Sequence, residues 1–98
     1  MTITAHFSFH LDPTQLEHAY EVIHDSLAAT RAFPGNIGVE AWIDNNDPSH
    51  MLLIETWESI EADTAYRTWR RSDGTPKESY ALFVGTSELT FYSVNPAI

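Results

Sequence analysis

The change of hydrophobic period along the chain most constrains its fold. The N-terminal segment ITAHFSF alternates apolar and polar side chains, and a period of two predicts a β-strand. The next segment carries Leu16, Tyr20, Ile23 and Leu27 at helical spacing, which predicts an amphipathic helix. Strands follow at NIGVEAWI and MLLIETWE, then a second helix, a short third helix and a last strand at SELTFYSV.

Turn and capping residues predict where these elements begin and end. Asp12 and Ser59 are expected to cap the first and second helices, and the pair Pro34–Gly35 to end the first one. Thr75 and Pro76 open the short third helix and Gly85 closes it. The last strand is expected at Ser87–Val94.

The order strand, helix, strand, strand, helix, short helix, strand is typical of one fold class. It predicts a ferredoxin-like split β-α-β fold of class α+β, with a four-stranded antiparallel sheet and helices on one face. A chain of 98 residues rarely divides into two cores, so residues 1–98 are expected to form a single domain.

Charge and cysteine content exclude several classes of partner. The formal net charge of −9 repels nucleic acid and anionic lipid. The absence of cysteine excludes disulfides and thiolate chemistry. No segment resembles a signal peptide or a membrane span, so a cytoplasmic protein is expected.

The aromatic content predicts self-association. Aromatic residues make up 12% of a short chain, which is more apolar surface than so small a core covers easily. Trp42 and Tyr92 fall on the sheet face that the helices leave open, and an open apolar face predicts an interface. We therefore expect a homodimer formed through this face.

Three segments in a fixed order carry a family resemblance. They are Pro34–Gly35 after the first helix, an acidic hairpin turn, and the strand-to-helix segment IETWES at 54–59. In these segments the chain resembles the antibiotic biosynthesis monooxygenase family, whose members are small dimeric α/β barrels. The resemblance implies two sheets meeting face to face and a pocket between helices and sheet in each subunit.

The resemblance also implies a chemistry. Family oxygenases of the anthrone type use no flavin, haem or metal, because the carbanion of the substrate itself reduces oxygen. We therefore expect a cofactor-independent monooxygenase acting on molecular oxygen and a small anthrone- or quinol-like aromatic. The alternatives are a non-catalytic ligand-binding or stress-associated dimer, and an enzyme that degrades or isomerises a small signal metabolite.

Departures from the family pattern disfavour haem degradation. Many relatives have histidine nine residues after the position of Trp57, and the haem-degrading branch has tryptophan there; this chain has Tyr66. The places of that branch's axial histidine and first-strand asparagine hold Pro76 and Phe7. No haem or metal site is predicted.

The predicted site is centred on the second helix. Tyr66 is expected to move a proton or to hold a phenolate oxygen, while Trp69 and Phe7 form a flat apolar slot. Arg67 and Arg70 are expected to attract an anion, although cations near a helix C-terminus also complement the helix dipole.

Four further residues are candidates for the same pocket or for the dimer interface. His6 would be a second base if it faced an internal cavity. Asn36 and Glu40 are expected to share one strand face, where they bind a ligand or pair across the dimer. Trp57 is a substrate-binding or structural candidate. No Ser-His-Asp arrangement and no phosphate-binding loop is recognisable from the sequence.

Overall fold

The computed structural model describes all 98 residues. Four strands form one antiparallel sheet in the order β2-β3-β1-β4, which confirms the ferredoxin-like α+β fold. None of the helices has the length and apolar character needed to cross a bilayer. The elements are β1 (Ile3–Leu11), α1 (Leu16–Ala32), β2 (Asn36–Asp44), β3 (Asp47–Trp57), α2 (Ile60–Trp69), α3 (Lys77–Tyr80) and β4 (Phe83–Tyr92).

The hydrophobic core lies between the helices and one face of the sheet. Phe9 and Leu11 of β1 pack with Ile23 and Leu27 of α1 in the larger of two clusters. The smaller cluster joins the start of β1 to α2 through Ile3, Ala5, Trp57 and Tyr66. The residues of β1 that point into the core are therefore the apolar ones of its alternating pattern.

Two predicted helix starts are observed at their capping residues. Ser59 Oγ accepts a hydrogen bond from the N–H of Ala62 at 3.1 Å, which caps α2 as predicted. Asp12 Oδ1 accepts from the N–H of Thr14 at 2.9 Å. This cap belongs to the short 3₁₀ turn Pro13–Gln15, which leads directly into α1.

The Pro34–Gly35 turn packs against the start of α2. Gly35 has φ +89°, and its carbonyl accepts the N–H of Glu58 at 2.9 Å. A Cβ added to Gly35 would lie 2.4 Å from Cβ of Ala62. The turn thus needs glycine both for its backbone conformation and for this close contact.

The last strand begins earlier than predicted. β4 starts at Phe83, and Gly85, expected to close α3, lies inside the strand with φ +71°. The pairing of β4 with β1 shifts register between Ser8 and His10, so the glycine forms a β-bulge. A positive-φ glycine suits a helix end and a bulge equally, and only the pairing partner distinguishes them.

A second bulge corrects the prediction for β2. The register with β3 shifts between Asn36 and Gly38, so that Asn36 pairs with Trp57 while Glu40 pairs with Ile54. Directly paired residues point to the same face, which puts Asn36 on the helix side and Glu40 on the open side. The prediction that these two residues share a face is wrong, because one extra residue in a strand reverses the alternation.

The open face of the sheet carries a mixed apolar and aromatic surface. Leu52 and Ile54 lie along β3, with Trp42 on one neighbouring strand and Tyr92 on the edge strand. Trp42 and Tyr92 expose 54% and 52% of their surface. No element of the chain covers this face.

Candidate active site

A cavity of about 510 Å³ opens between the helices and the covered face of the sheet. Its walls come from β1, α1, β3, α2, β4 and the segment after α2, and most of the wall residues are apolar. A volume in this range with a few polar groups suits a small organic ligand. The charged residues of its wall are Glu55 of β3, Arg67 of α2, and Arg70 and Arg71 directly after α2.

Tyr66 of α2 lines the cavity. Its side chain is only 4% exposed, and its hydroxyl lies 2.8 Å from Thr30 Oγ1 on α1. Arg70 Nε donates to the same hydroxyl oxygen at 2.8 Å. The hydroxyl is therefore held between a neutral hydroxyl group and a cation.

Arg70 lines the cavity and has no carboxylate partner. Four of its five N–H groups are used by neutral oxygens: the Tyr66 hydroxyl, Gly74 O at 2.7 Å, Ser26 O at 2.8 Å and Thr30 Oγ1 at 2.9 Å. One N–H on Nη1 remains. No acidic oxygen lies within ion-pair distance, so its positive charge is uncompensated at the cavity wall.

The backbone after α2 positions Arg70. Residues Arg70–Gly74 form a π-helical turn, a wide turn that is frequent at functional sites. A Cβ on Gly74 would lie 2.5 Å from the Trp69 ring, so the turn closes tightly around that tryptophan. This geometry brings Gly74 O to the guanidinium and fixes its orientation.

Arg67 is neutralised, in contrast to Arg70. Its Nη2 lies 2.5 Å from Glu55 Oε1, and its Nε lies 3.2 Å from Asp63 Oδ1. One guanidinium thus serves two carboxylates. The sequence could not separate the two arginines, but their partners in the structure do: Arg70 is available to an anion and Arg67 is engaged.

Glu55 is a buried carboxyl group that sequence reasoning missed. It is 1% exposed and lines the cavity, and Trp57 Nε1 donates to its Oε1 at 3.2 Å. Burial raises the pKa of Glu55, while the charge of Arg67 opposes the increase. The sequence contained a signal for the burial of Glu55, because the alternation of β3 puts it on the same face as Leu53 and Trp57.

Asp63 and Thr30 were also missed. Asp63 is 4% exposed, and Thr30 is fully buried. Burial raises the pKa of Asp63, with Arg67 acting in the opposite direction. Thr30 follows Leu27 by three residues and continues the inward stripe of α1, so its position was readable from the helical period.

The structure brings together only part of the predicted site. Tyr66, Phe7, Arg67 and Arg70 line the cavity. Trp69 does not line it, because the ring packs against Phe33 with 5.5 Å between ring centres and lies 4.7 Å from the Arg70 guanidinium.

The remaining three predicted residues lie outside the cavity. Trp57 is 0% exposed and contacts Glu55 rather than open space. The Nδ2 atom of Asn36 is buried without a hydrogen-bond partner. His6 lies on the open sheet face with its ring 4.5 Å from that of Tyr92. It does not face the cavity, as a second base there would have to.

The open face also contains a hydrogen-bonded chain that the sequence did not show. Ser8 Oγ lies 2.8 Å from His50 Nε2, and His50 Nδ1 lies 3.0 Å from Asp44 Oδ2. His10 stacks on His50 at 4.4 Å. This arrangement is not recognisable in the sequence, because strand pairing joins residues 42 positions apart. This hydrogen-bonded network of Ser8, His50 and Asp44 lies on the opposite side of the sheet from the cavity.

Comparisons with known proteins agree with this architecture. The family model described as antibiotic biosynthesis monooxygenase matches residues 2–75, well over half of the chain. No curated protein is significantly similar in sequence.

Solved structures share the fold at low sequence identity. A crystal structure of an antibiotic biosynthesis monooxygenase superposes with a TM-score of 0.82 at 14% identity, covering 96% of this chain and 99% of the other. SnoaB, a cofactor-independent oxygenase from Streptomyces nogalater, gives 0.76 at 17% identity, covering 95% and 92%. PA3566 from Pseudomonas aeruginosa gives 0.76 at 16% identity, covering 96% and 94%. With this fold and this match over residues 2–75, the chain belongs to the antibiotic biosynthesis monooxygenase family.

Proposed function

We propose that the chain is a cofactor-independent monooxygenase that oxidises a small anthrone- or quinol-like aromatic in the cavity between helices and sheet. The observation that carries the proposal is Arg70, a cation with no carboxylate partner in the wall of a mostly apolar cavity. An aromatic ring carrying a phenolate or enolate oxygen complements both parts of this arrangement. The family membership and the reaction named for SnoaB support the same class of chemistry.

The cavity favours the substrate anion over the neutral substrate. Arg70, which has one N–H without a partner, and Tyr66 are hydrogen-bonded to each other and both line the cavity. A charge-assisted hydrogen bond to a substrate oxygen strengthens as negative charge develops on that oxygen. Phe7 and the aliphatic wall exclude water from the ring, which strengthens the electrostatic contact further.

The overall reaction balances with oxygen as the only oxidant. For anthrone, loss of one methylene proton gives a delocalised carbanion that transfers electrons to O₂. Insertion of one oxygen atom at the methylene carbon and release of the other as water gives the quinone. The two methylene hydrogens leave in that water molecule. No electron donor other than the substrate is required in this scheme.

Oxygen uptake by the purified protein with a panel of anthrones and quinols tests this function. We expect uptake above the rate of autoxidation, with a quinone or hydroxylated product. Tyr66→Phe should lower turnover on the order of 100-fold, because one group that holds the developing oxyanion is lost, while the fold is retained.

Tyr20→Phe is the matched control for the Tyr66 variant. The Tyr20 hydroxyl donates to Pro48 O, and Tyr20 does not line the cavity, so its loss should leave turnover unchanged. Equal activity of Tyr66→Phe and wild type would remove Tyr66 from the mechanism. Saturable ligand binding without oxygen uptake would instead assign the chain to the ligand-binding alternative.

A further inference from the structure

We propose that Oε2 of Glu55 is the proton acceptor of the cavity and removes the proton from a carbon acid bound there. The proposal rests on the proposed function for the class of substrate, an aromatic with an acidic methylene group. It goes beyond that function because Tyr66, the residue favoured from the sequence, is assigned to holding the substrate oxygen and not to receiving the proton.

The two oxygens of Glu55 have different surroundings. Oε1 receives both hydrogen bonds, from Arg67 Nη2 and from Trp57 Nε1. Oε2 accepts none. It keeps a small accessible area, since Asn36 Nδ2 is the only fully buried polar side-chain atom of the chain that lacks a partner. Oε2 of this 1% exposed residue therefore opens onto the cavity that Glu55 lines.

This arrangement suits proton transfer. Arg67 and Trp57 fix the orientation of the carboxylate through one oxygen, so the other is held in place with a free lone pair. Burial favours the neutral form of the group and raises the pKa of Glu55. A buried carboxylate with a raised pKa is a stronger base than an exposed one.

Tyr66 is less available for the same task. Arg70 donates to its hydroxyl oxygen, and Thr30 occupies a second position. One of the two groups in contact with the Tyr66 hydroxyl is therefore a cation, which favours binding of a negative oxygen nearby. The Arg67 guanidinium lies 5.0 Å from the centre of the Tyr66 ring and also contacts Glu55. Arg67 therefore lies next to both the proposed base, Glu55, and the proposed oxyanion-binding residue, Tyr66.

The proposed step transfers one proton. The C–H bond of the substrate methylene breaks, its electron pair remains on the carbon and delocalises onto the ring oxygen, and an O–H bond forms at Glu55 Oε2. The enolate oxygen then lies towards Arg70 and Tyr66. Reaction of the carbanion with O₂ follows in the proposed function and is not needed for this step.

Exchange of the methylene hydrogens of anthrone for deuterium, followed in D₂O without oxygen, isolates this proton transfer. The wild-type protein should accelerate exchange over the solvent rate. Glu55→Gln should lower the catalysed rate by about 100-fold or more, the usual size of a general-base contribution. Quenching of tryptophan fluorescence should show that this variant still binds anthrone.

Glu61→Gln is the matched control, because Glu61 is an exposed carboxylate on α2 that does not line the cavity. This variant should catalyse exchange of the methylene hydrogens of anthrone at the wild-type rate. Wild-type exchange no faster than solvent, or undiminished exchange in Glu55→Gln, would overturn the proposal. Exchange that depends on Glu55 without oxygen uptake in air would reject the oxygenase and retain the proton acceptor. Oxygen uptake that does not depend on Glu55 would retain the oxygenase and reject Glu55 as the proton acceptor.

A measurement on the unmutated protein covers the case in which Glu55→Gln does not fold. Diphenyldiazomethane esterifies protonated carboxyl groups: the acid proton moves to the diazo carbon, the carboxylate oxygen bonds to that carbon, and N₂ leaves. At mildly acidic pH we expect the ester at Glu55, located by peptide mass spectrometry, and protection of Glu55 by anthrone. Modification of surface carboxylates with Glu55 intact would overturn the proposal.

Discussion

At the scale of single residues, the partners of each charged side chain decide its role. Arg67 and Arg70 lie on neighbouring turns of the same helical segment, yet one contacts two carboxylates and the other only neutral oxygens. A cation held by neutral groups attracts an anionic ligand, whereas a cation held by carboxylates mainly reduces the cost of burying them. Glu55 and Asp63 therefore share the guanidinium of Arg67, whereas Arg70 has no carboxylate partner.

The raised pKa of Glu55 predicts how stability depends on pH. Burial raises this pKa above the ordinary value of 4.5, so the folded chain binds a proton at pH values where the unfolded chain has lost it. The contribution of Glu55 to stability is then largest below the ordinary value and decreases as the pH rises through the raised pKa.

Urea unfolding of wild type and Glu55→Gln across this pH range measures the effect. Glutamine keeps an oxygen for Arg67 and Trp57 but does not titrate. We expect the wild type to lose stability relative to the variant as the pH rises. Asp63, whose pKa is also raised, titrates in both proteins and cancels in the comparison. A difference that is constant with pH would contradict the raised pKa.

At the scale of secondary-structure elements, single glycines fix how strands and helices meet. Gly35 has φ +89° and no room for a side chain, since an added Cβ would lie 2.4 Å from Ala62 Cβ. Gly85 has φ +71° with nothing within 4 Å, and Gly38 has neither constraint. Comparison of the three glycines therefore distinguishes the cost of a positive φ, present at Gly35 and Gly85, from the cost of a steric contact, present only at Gly35 among these three.

Replacing each of these glycines by alanine should give a graded loss of stability. Gly38→Ala should be nearly neutral. Gly85→Ala should cost about 1–2 kcal/mol, the cost of placing a Cβ in a left-handed conformation. Gly35→Ala should cost more than Gly85→Ala, because overpacking against α2 typically adds about 1–3 kcal/mol. Thermal unfolding of the three variants measures the order, and equal losses at Gly35 and Gly85 would contradict the steric argument.

At the scale of the whole molecule, the subunit is flattened. Its extents are 44 × 32 × 20 Å and its Cα radius of gyration is 13.9 Å, against about 12.6 Å for a compact domain of this length. Helices cover one face of the sheet, and the other exposes Trp42 and Tyr92. A second copy of the chain laid on the open face would complete a two-sided core, which is the homodimer that we propose.

Substituting a charge on the open face tests this assembly. Light scattering on the wild type should give twice the chain mass of 11.1 kDa, and Trp42→Glu should shift the mass to that of one chain. Ile60→Glu is the matched control, because Ile60 is equally exposed, at 57% against 54%, but lies on α2. A monomeric wild type, or dissociation by both variants, would contradict a dimer formed through this face.

The sequence alone determined the kinds and order of the elements, the Ser59 cap, the inward stripe of α1, and the position of Tyr66 on the buried face. These features depend on local periods and on short-range hydrogen bonds, both of which are written in consecutive residues.

Only the tertiary structure decided the rest. Two bulges reversed the face of Asn36 and moved the start of β4, because register depends on the partner strand. The pairing of Arg67 with Glu55, the neutral surroundings of Arg70 and the chain from Ser8 to Asp44 join residues distant in sequence. Charged groups are recognisable in a sequence, but burial and partners set their chemistry, and both arise only when separate elements pack together.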